Sequence, residues 1–419
     1  LFIRKSGLNN LIIITVISFI LINILFGSAL TNFRLVSKFA PPPRPTIALP
    51  SSSVTQLESG GTESGQIRFI VWQGAWDIFK AYPIFGSGVE TFAYSYYQFR
   101  PAAHNLTSEW DFLYNKAHNE YLNYLANTGL VGLGAFSIII IIFITFILKK
   151  QRFKNLLLVS LLAAYISYLI YNFFLFSVVI IAIFFYLFPA LAFVIIDSTI
   201  KFELPKKIFN LVYRRPIYTN AAKGFVILSS IYLLFSIFQL WYADTIFNRG
   251  QKASEVGNPG RAYNLLVVAS DLNKSEPFYK SELAYSAAAA AAALAETDAT
   301  LSAALKDEAI LQTDLVFKQS PKNVSFVRTA VRTYFELTTL DKKYLDETIK
   351  TLDRAISLAP TDPKLYYNKA LVLDSQDKKA EEIKELKKAI ELKPNYLEAL
   401  TQLKEATESA PTQSGQAEP

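Results

Sequence analysis

The residues of this chain whose types and spacing could do chemistry are two histidines, His104 and His118, and an arginine that heads an aromatic segment, Arg68. His118 stands in Lys116-Ala-His118-Asn119-Glu120-Tyr121-Leu122, which leads into Gly129-Leu-Val-Gly132 and an apolar run. A histidine at the start of such a helix meets the positive end of the helix dipole, which disfavours imidazolium and keeps the ring neutral. A neutral imidazole can serve as a general base at physiological pH, whereas capping the helix or lining an interface is the structural alternative of equal weight. His104 repeats the His-Asn dipeptide, but only a short polar stretch follows it, so His118 is the stronger candidate.

Arg68, Trp72, Ala75/Trp76 and Phe79 recur at spacings of three and four and are expected on one helical face. An arginine on that face either snorkels to lipid headgroups, which is the commoner role, or binds an anion such as pyrophosphate. The run Pro83-Ile-Phe-Gly86-Ser-Gly88 stops the helix. Backbone N–H groups in such a glycine turn can hold phosphate oxygens, although a plain structural turn is the commoner use. The histidines are 14 residues apart, and Glu90, Glu109, Asp111 and Glu120 are scattered around them. That is no metal-ligand spacing, and no metal or cofactor is expected. The chain has no Walker loop, no dinucleotide fingerprint, no serine nucleophile elbow and no basic–aromatic interleaving, which argues against a nucleic-acid partner. Asn105-Leu-Thr107 matches a glycosylation sequon, a pattern too common to carry weight.

The elements that must position these residues are apolar. The 419 residues are 52% hydrophobic and 14% aromatic, with the excess gathered in blocks, which places the chain in the membrane class. Five spans are expected, at Leu11 to Leu30, Gly129 to Leu148, Asn155 to Phe173, Ser177 to Ile196 and Gly224 to Tyr242, with Pro189 able to kink the fourth. The net charge of +7 reads as cytoplasmic loops. With Arg4 and Lys5 inside, both short basic loops, Lys149 to Lys154 and the loop carrying Lys201, Lys206, Lys207, Arg214, Arg215 and Lys223, fall inside too. The large loop and the tail then lie outside. The chain has no Cys, which excludes disulfides and thiolate chemistry, and it has no Met and begins at Leu1, so a fragment of a longer protein is expected.

Ala355-Ile-Ser-Leu358-Ala-Pro360 recurs 34 residues later as Ala389-Ile-Glu-Leu392-Lys-Pro394, the period of the tetratricopeptide repeat. Weaker units are expected to end near Pro277 and Pro321. The expected organisation is an all-α chain: a span at 1–30, a loop at 31–128 whose Pro41-to-Gly65 stretch is a linker, four spans at 129–242, tetratricopeptide-like repeats at 243–408 and a disordered tail at 409–419.

Arg68, Trp72, Ala75, Phe79, Pro83, Gly86, Gly88 and Phe92, followed by His118, Asn119, Tyr121, Leu122, Leu125, Gly129 and Gly132, resemble the O-antigen ligase/polymerase superfamily of bacterial membrane glycosyltransferases. The likeness covers roughly Leu11 to Ile196, and the repeat tail resembles that of members carrying such repeats. It implies a multi-pass protein of the bacterial cytoplasmic (inner) membrane, with its loop and repeats extracytoplasmic. Such a protein moves a glycan from a polyprenyl-pyrophosphate carrier to an acceptor hydroxyl or amide, without metal, the acceptor being a lipid, glycan or protein. By motif, His118 would be the base and Arg68 a pyrophosphate ligand, with Trp72, Gly86, Gly88 and Asn119 also at the substrate. Members have about ten or more spans and a further arginine upstream, so only part of the carrier groove would lie in this chain. A polymerase of the same superfamily is one alternative. Another is a non-enzymatic scaffold whose repeats recruit a protein partner. A transporter ranks last, because the spans contain almost no ionisable residues.

Overall fold

The structure, a computed structural model, describes residues 64–112, 114–149, 154–196 and 216–409. The expected span at Leu11 to Leu30, nearly all of the linker, the middle of the first basic loop, residues 197–215 of the second, and the tail from 410 lie outside the described residues. The described residues are helical, as the sequence leads one to expect, without a strand among them.

Helix α1 (Ser64–Ala81) and the short α2 (Phe92–Phe99) belong to the loop, with one turn of tighter helix at Ala102–Leu106. The buried stripe of α1 is Ile67, Val71, Ala75 and Ile78, packed on Phe92, Tyr96, Tyr114, Ala117 and Ala126. The expected aromatic face is therefore not the core face. Arg68, Trp72 and Phe79 flank the stripe, and Trp76 is exposed. Three apolar helices follow: α3 (Glu120–Leu148), α4 (Leu156–Phe174) and α5 (Val179–Ile196), with Pro189 inside α5. Their facing sides form one cluster around Phe136, Phe143, Tyr165 and Phe185, while most of their remaining surface is apolar and exposed, as bilayer contact requires.

Helix α3 is broken where it enters the apolar run. Gly129 has φ 62° and ψ −161°, so the amides of Leu130 and Val131 cannot reach the carbonyls of Ala126 and Asn127. The Pro83–Gly88 turn supplies both missing halves. Leu130 N donates to Pro83 O (2.9 Å) and Val131 N to Ile84 O (3.2 Å), while Ser87 N donates to Ala126 O (2.9 Å) and Gly88 N to Asn127 O (2.9 Å). The approach is so close that a Cβ on Gly86 would lie 2.2 Å from the Asn127 carbonyl carbon, and one on Gly129 would lie 2.4 Å from Ile84 O. Both glycines also hold left-handed φ values.

Helix α6 (Pro216–Glu255) runs 40 residues without interruption. The expected boundary between the last span and the repeats, at Tyr242 and Ala243, thus falls inside one helix. What changes there is burial. Side chains from Phe225 to Tyr242 are largely exposed, whereas Ala243, Ile246 and Phe247 pack on Leu266, Tyr279 and Leu283. Helical hairpins follow: α7 (Pro259–Leu272) against the end of α6, α8 (Pro277–Leu294) with α9 (Ala299–Gln319), α10 (Val324–Leu337) with α11 (Tyr344–Leu358), α12 (Pro363–Asp374) with α13 (Lys379–Leu392), and a closing α14 (Leu397–Ser409). Side chains of Asn258, Glu276, Asp298, Asn323 and Asp362 cap their helices. The 34-residue period holds for the last units, from Pro363 to Leu397 and between the ends of α11 and α13 at Leu358 and Leu392, whereas α8 and α9, at 18 and 21 residues, are longer than α12 and α13, at 12 and 14.

Gly129→Ala and Gly86→Ala each force a side chain into backbone at a left-handed residue. Each is expected to destabilise the protein by at least about 2 kcal/mol, measured as thermal unfolding of the detergent-solubilised chain. Gly134→Ala, at a glycine with open space around it, serves as the silent control.

Candidate functional site

His118 precedes the N-cap of α3. Asn119 is extended (φ −156°, ψ 112°), and its side-chain oxygen accepts from Leu122 N at 3.0 Å. His118 itself is left-handed (φ 53°), a conformation costing about 1 kcal/mol or more for a non-glycine residue. It is half-buried, its ring edge-on to Tyr114 (5.3 Å) and to Phe176 (5.1 Å) in the turn between α4 and α5. Nδ1 lies 3.2 Å from Lys116 O. Since a carbonyl only accepts, Nδ1 carries the proton and Nε2 keeps its lone pair. Burial lowers the His118 pKa below its usual 6.5; the bond to Lys116 O opposes this, Arg68 adds to it, and Glu109 opposes it. The shift favours the neutral ring, with desolvation as the leading cause.

Arg68 is partly buried one helix away, and its charge bears on both His118 and Tyr114. Among the described residues it has no salt-bridge partner. Trp72 packs edge-on to Phe69 (5.3 Å) and Phe173 (5.9 Å), and its buried indole N–H has no partner among the described residues. Tyr121, on the first turn of α3, also meets Phe173 (6.4 Å), and Glu120 Oε2 accepts from Ser177 N (3.1 Å). The structure thus gathers Arg68, Trp72, His118 and Asn119 around the α4–α5 turn.

Gly86 and Gly88 are different. Gly86 N donates to Tyr82 O (3.0 Å), while Ser87 N and Gly88 N are committed to α3. These three amides are therefore taken, and Gly86 acts through the close backbone approach to Asn127, Thr128 and Gly129. Asn119 likewise uses its side-chain oxygen as a cap, leaving its amide N–H₂ as the group that could meet a ligand.

His104 is fully buried. Its Nδ1 meets the Tyr96 hydroxyl at 3.0 Å, its ring lies edge-on to Tyr114 (5.2 Å), and burial, with a smaller push from Arg100, depresses its pKa to about 4. It is a core histidine. The Asn105 of the sequon is fully buried too, so it is no glycan acceptor.

Asn105 belongs to something that sequence reading missed, a docking of the loop onto the repeats. Its Nδ2 donates to Thr361 O (2.8 Å) and Leu392 O (3.2 Å), its Oδ1 accepts from buried Arg100, and its backbone oxygen accepts from Lys393 Nζ (3.1 Å). Thr361 Oγ1 donates to Arg100 O (2.9 Å). Trp110 lies against Tyr396 (5.8 Å) with the ammonium of Lys393 over its ring (4.4 Å), and Tyr97 accepts from Arg328 (3.3 Å). No periodicity in the sequence connects this loop to residues more than 250 positions away.

Residues 2–137 match a family model described as O-antigen ligase, and residues 363–396 match one for a tetratricopeptide repeat. The first of these stretches is similar to O-antigen ligases. The ligase match spans every candidate site residue, and the repeat match is the α12–α13 hairpin. No curated protein matches the chain. Among solved structures, MamA (41-end) from Desulfovibrio magneticus RS-1 is 21% identical, with 39% of this chain and 83% of that one covered and a TM-score of 0.30. TTC0263, a thermophilic tetratricopeptide protein of Thermus thermophilus, is 20% identical, with 41% and 93% covered and a TM-score of 0.30.

Asn105→Ala leaves Thr361 O and Leu392 O without this donor and Arg100 with Trp110 O but without the Asn105 Oδ1 acceptor. It is expected to destabilise the folded chain by about 2–3 kcal/mol and to speed limited proteolysis between residues 100 and 112. His104 charges readily only when unfolded, so its contribution is present above pH 6.5 and is lost as pH falls from there through about 4. Unfolding midpoints measured across that window should drop, and the drop should shrink in His104→Gln.

Proposed function

We propose that this chain works in a membrane glycosyltransferase of the ligase type, which transfers a glycan from a polyprenyl-pyrophosphate carrier to an acceptor hydroxyl or amide. The observation that carries the reading is His118: an imidazole with a free Nε2, held neutral at the capped start of α3, with Arg68 in its field and the O-antigen ligase match around both. Nε2 takes the acceptor's proton as the acceptor atom bonds to the anomeric carbon. The bond from that carbon to the pyrophosphate breaks, and the carrier leaves as an anion whose charge Arg68 stabilises. Trp72 and the Asn119 amide border the same space. The acceptor is a lipid, a glycan or a protein; with a growing polysaccharide as acceptor, the same site would serve a polymerase.

The reading puts this chemistry on the extracytoplasmic face of the bacterial inner membrane. Support comes from the expected charge distribution, with Lys149 and Lys154 at the end of the bundle away from Gly129. The loop touches the α4–α5 turn through His118 and Phe176, and it touches the repeats through Asn105, contacts that support putting all three on one side.

His118→Ala and Arg68→Ala in the membrane-reconstituted protein should each lower transfer from a lipid-linked glycan by about 10²–10⁴-fold without shifting the unfolding midpoint appreciably. Wild-type rates in both would end this assignment of roles. Because the base works neutral and its pKa is lowered, kcat/KM should be flat above neutrality and fall in acid with a midpoint below 6.5.

A further inference from the structure

Between the loop and the repeats lies a cleft of about 490 Å³ that the reaction described above does not use, a volume typical of small-ligand sites. Tyr82, Tyr94 and Gln98 line its loop side, and Glu276, Lys322 and Phe326 its repeat side. The two tyrosine rings are unusually open, 37% and 46% exposed. The hydroxyls of both, the Gln98 amide and the Lys322 ammonium have no hydrogen-bond or ion-pair partner among the described residues. Next to them Ser87, Thr91 and Ser95 also line the cleft, their hydroxyls linked at 2.8 and 3.0 Å. Thr91 Oγ1 also donates to Gly88 O (2.6 Å) and Ser95 Oγ approaches Thr91 O (2.7 Å), so these oxygens have lone pairs left for a ligand's O–H groups.

We infer that this cleft is a saccharide-binding site. Aromatic faces beside neutral donors and acceptors match the two surfaces of a sugar ring, one apolar and one hydroxylated. The single lysine is opposed by a glutamate, which gives no net attraction to a polyanion such as pyrophosphate. The walls are helices and turns rather than an open strand edge, and so offer no ladder to an extended peptide strand. The inference rests on the transferase reading for its purpose: the sugar belongs either to the donor glycan or to a glycan acceptor. It also gives the glycine turn a second role. Ser87 lines the cleft and holds α3 with its amide, so an occupied cleft bears on the helix that starts beside His118.

The test uses the full chain in lipid nanodiscs and an array of lipid-free bacterial oligosaccharides, with hits followed by saturation-transfer NMR. At least one oligosaccharide should bind. Tyr94→Ala and Gln98→Ala should weaken that binding about ten-fold or more, Tyr94→Phe should retain most of it, and His118→Ala should bind like wild type. Failure of every oligosaccharide to bind, or unchanged binding in Tyr94→Ala and Gln98→Ala, would overturn the proposal. Binding in a protein that transfers nothing would sink the transferase reading and leave the cleft standing. In an active protein, a raised acceptor KM in Tyr94→Ala identifies the acceptor glycan, and a raised donor KM identifies the donor.

Discussion

Four backbone hydrogen bonds hold this molecule's functional half together. Gly129 interrupts α3 at the point where the chain passes into the apolar span, and the interruption orphans two carbonyls and two amides. In a hydrocarbon or interfacial setting such groups are costly to leave unpaired. The Pro83–Gly88 turn pairs all four, donor for acceptor and acceptor for donor. The glycine turn and the start of the apolar run, separate motifs in one dimension, are thus one structural unit. Its glycines are required because backbone must touch backbone, and its proline ends α1 at the right place for the contact.

From that clasp the rest follows in two directions. Toward the membrane, the span after Gly129 is free to take its own axis against α4 and α5, because the helix no longer has to be straight. Away from it, the short first segment of α3 is held against α1 by Ala126 and the Ile67–Ile78 stripe, which fixes where Asn119 caps and where His118 must turn. The far end of the loop has no such clasp of its own. It is steadied by the repeats through Asn105, Arg100 and Trp110, a polar and aromatic contact whose central groups Asn105 and Arg100 are buried, and through Tyr97, which joins the apolar cluster around Val324 and Leu365.

Much of this was legible in the sequence, for identifiable reasons. The apolar blocks are long enough that no soluble fold competes, so α3 to α6 were readable as spans. The 34-residue echo of Ala355-to-Pro360 in Ala389-to-Pro394 disclosed the last hairpin, while the longer α8 and α9 hid the earlier ones. His118 could be preferred over His104 because helix context is local. The buried face of α1 was not legible: Arg68-Trp72-Phe79 and Ile67-Val71-Ile78 have the same period, and only the partner surface decides between them. For Gly86 and Gly88 the structural turn was the commoner reading, but a glycine that admits a phosphate and one that admits another backbone look alike in one dimension. Contacts such as Asn105 to Thr361 leave no periodic trace at all.

Helix α6 carries a different lesson. Because it passes from span to repeat array with no joint, the array has a fixed angular phase about the span. A single residue inserted near Tyr242 would turn every later hairpin by about 100° and lift it by about 1.5 Å. The loop would then meet the wrong face of the array, with Asn105 no longer opposite Thr361 and Leu392. The number of residues in that helix, more than their identity, is therefore what keeps the repeats in register with the loop.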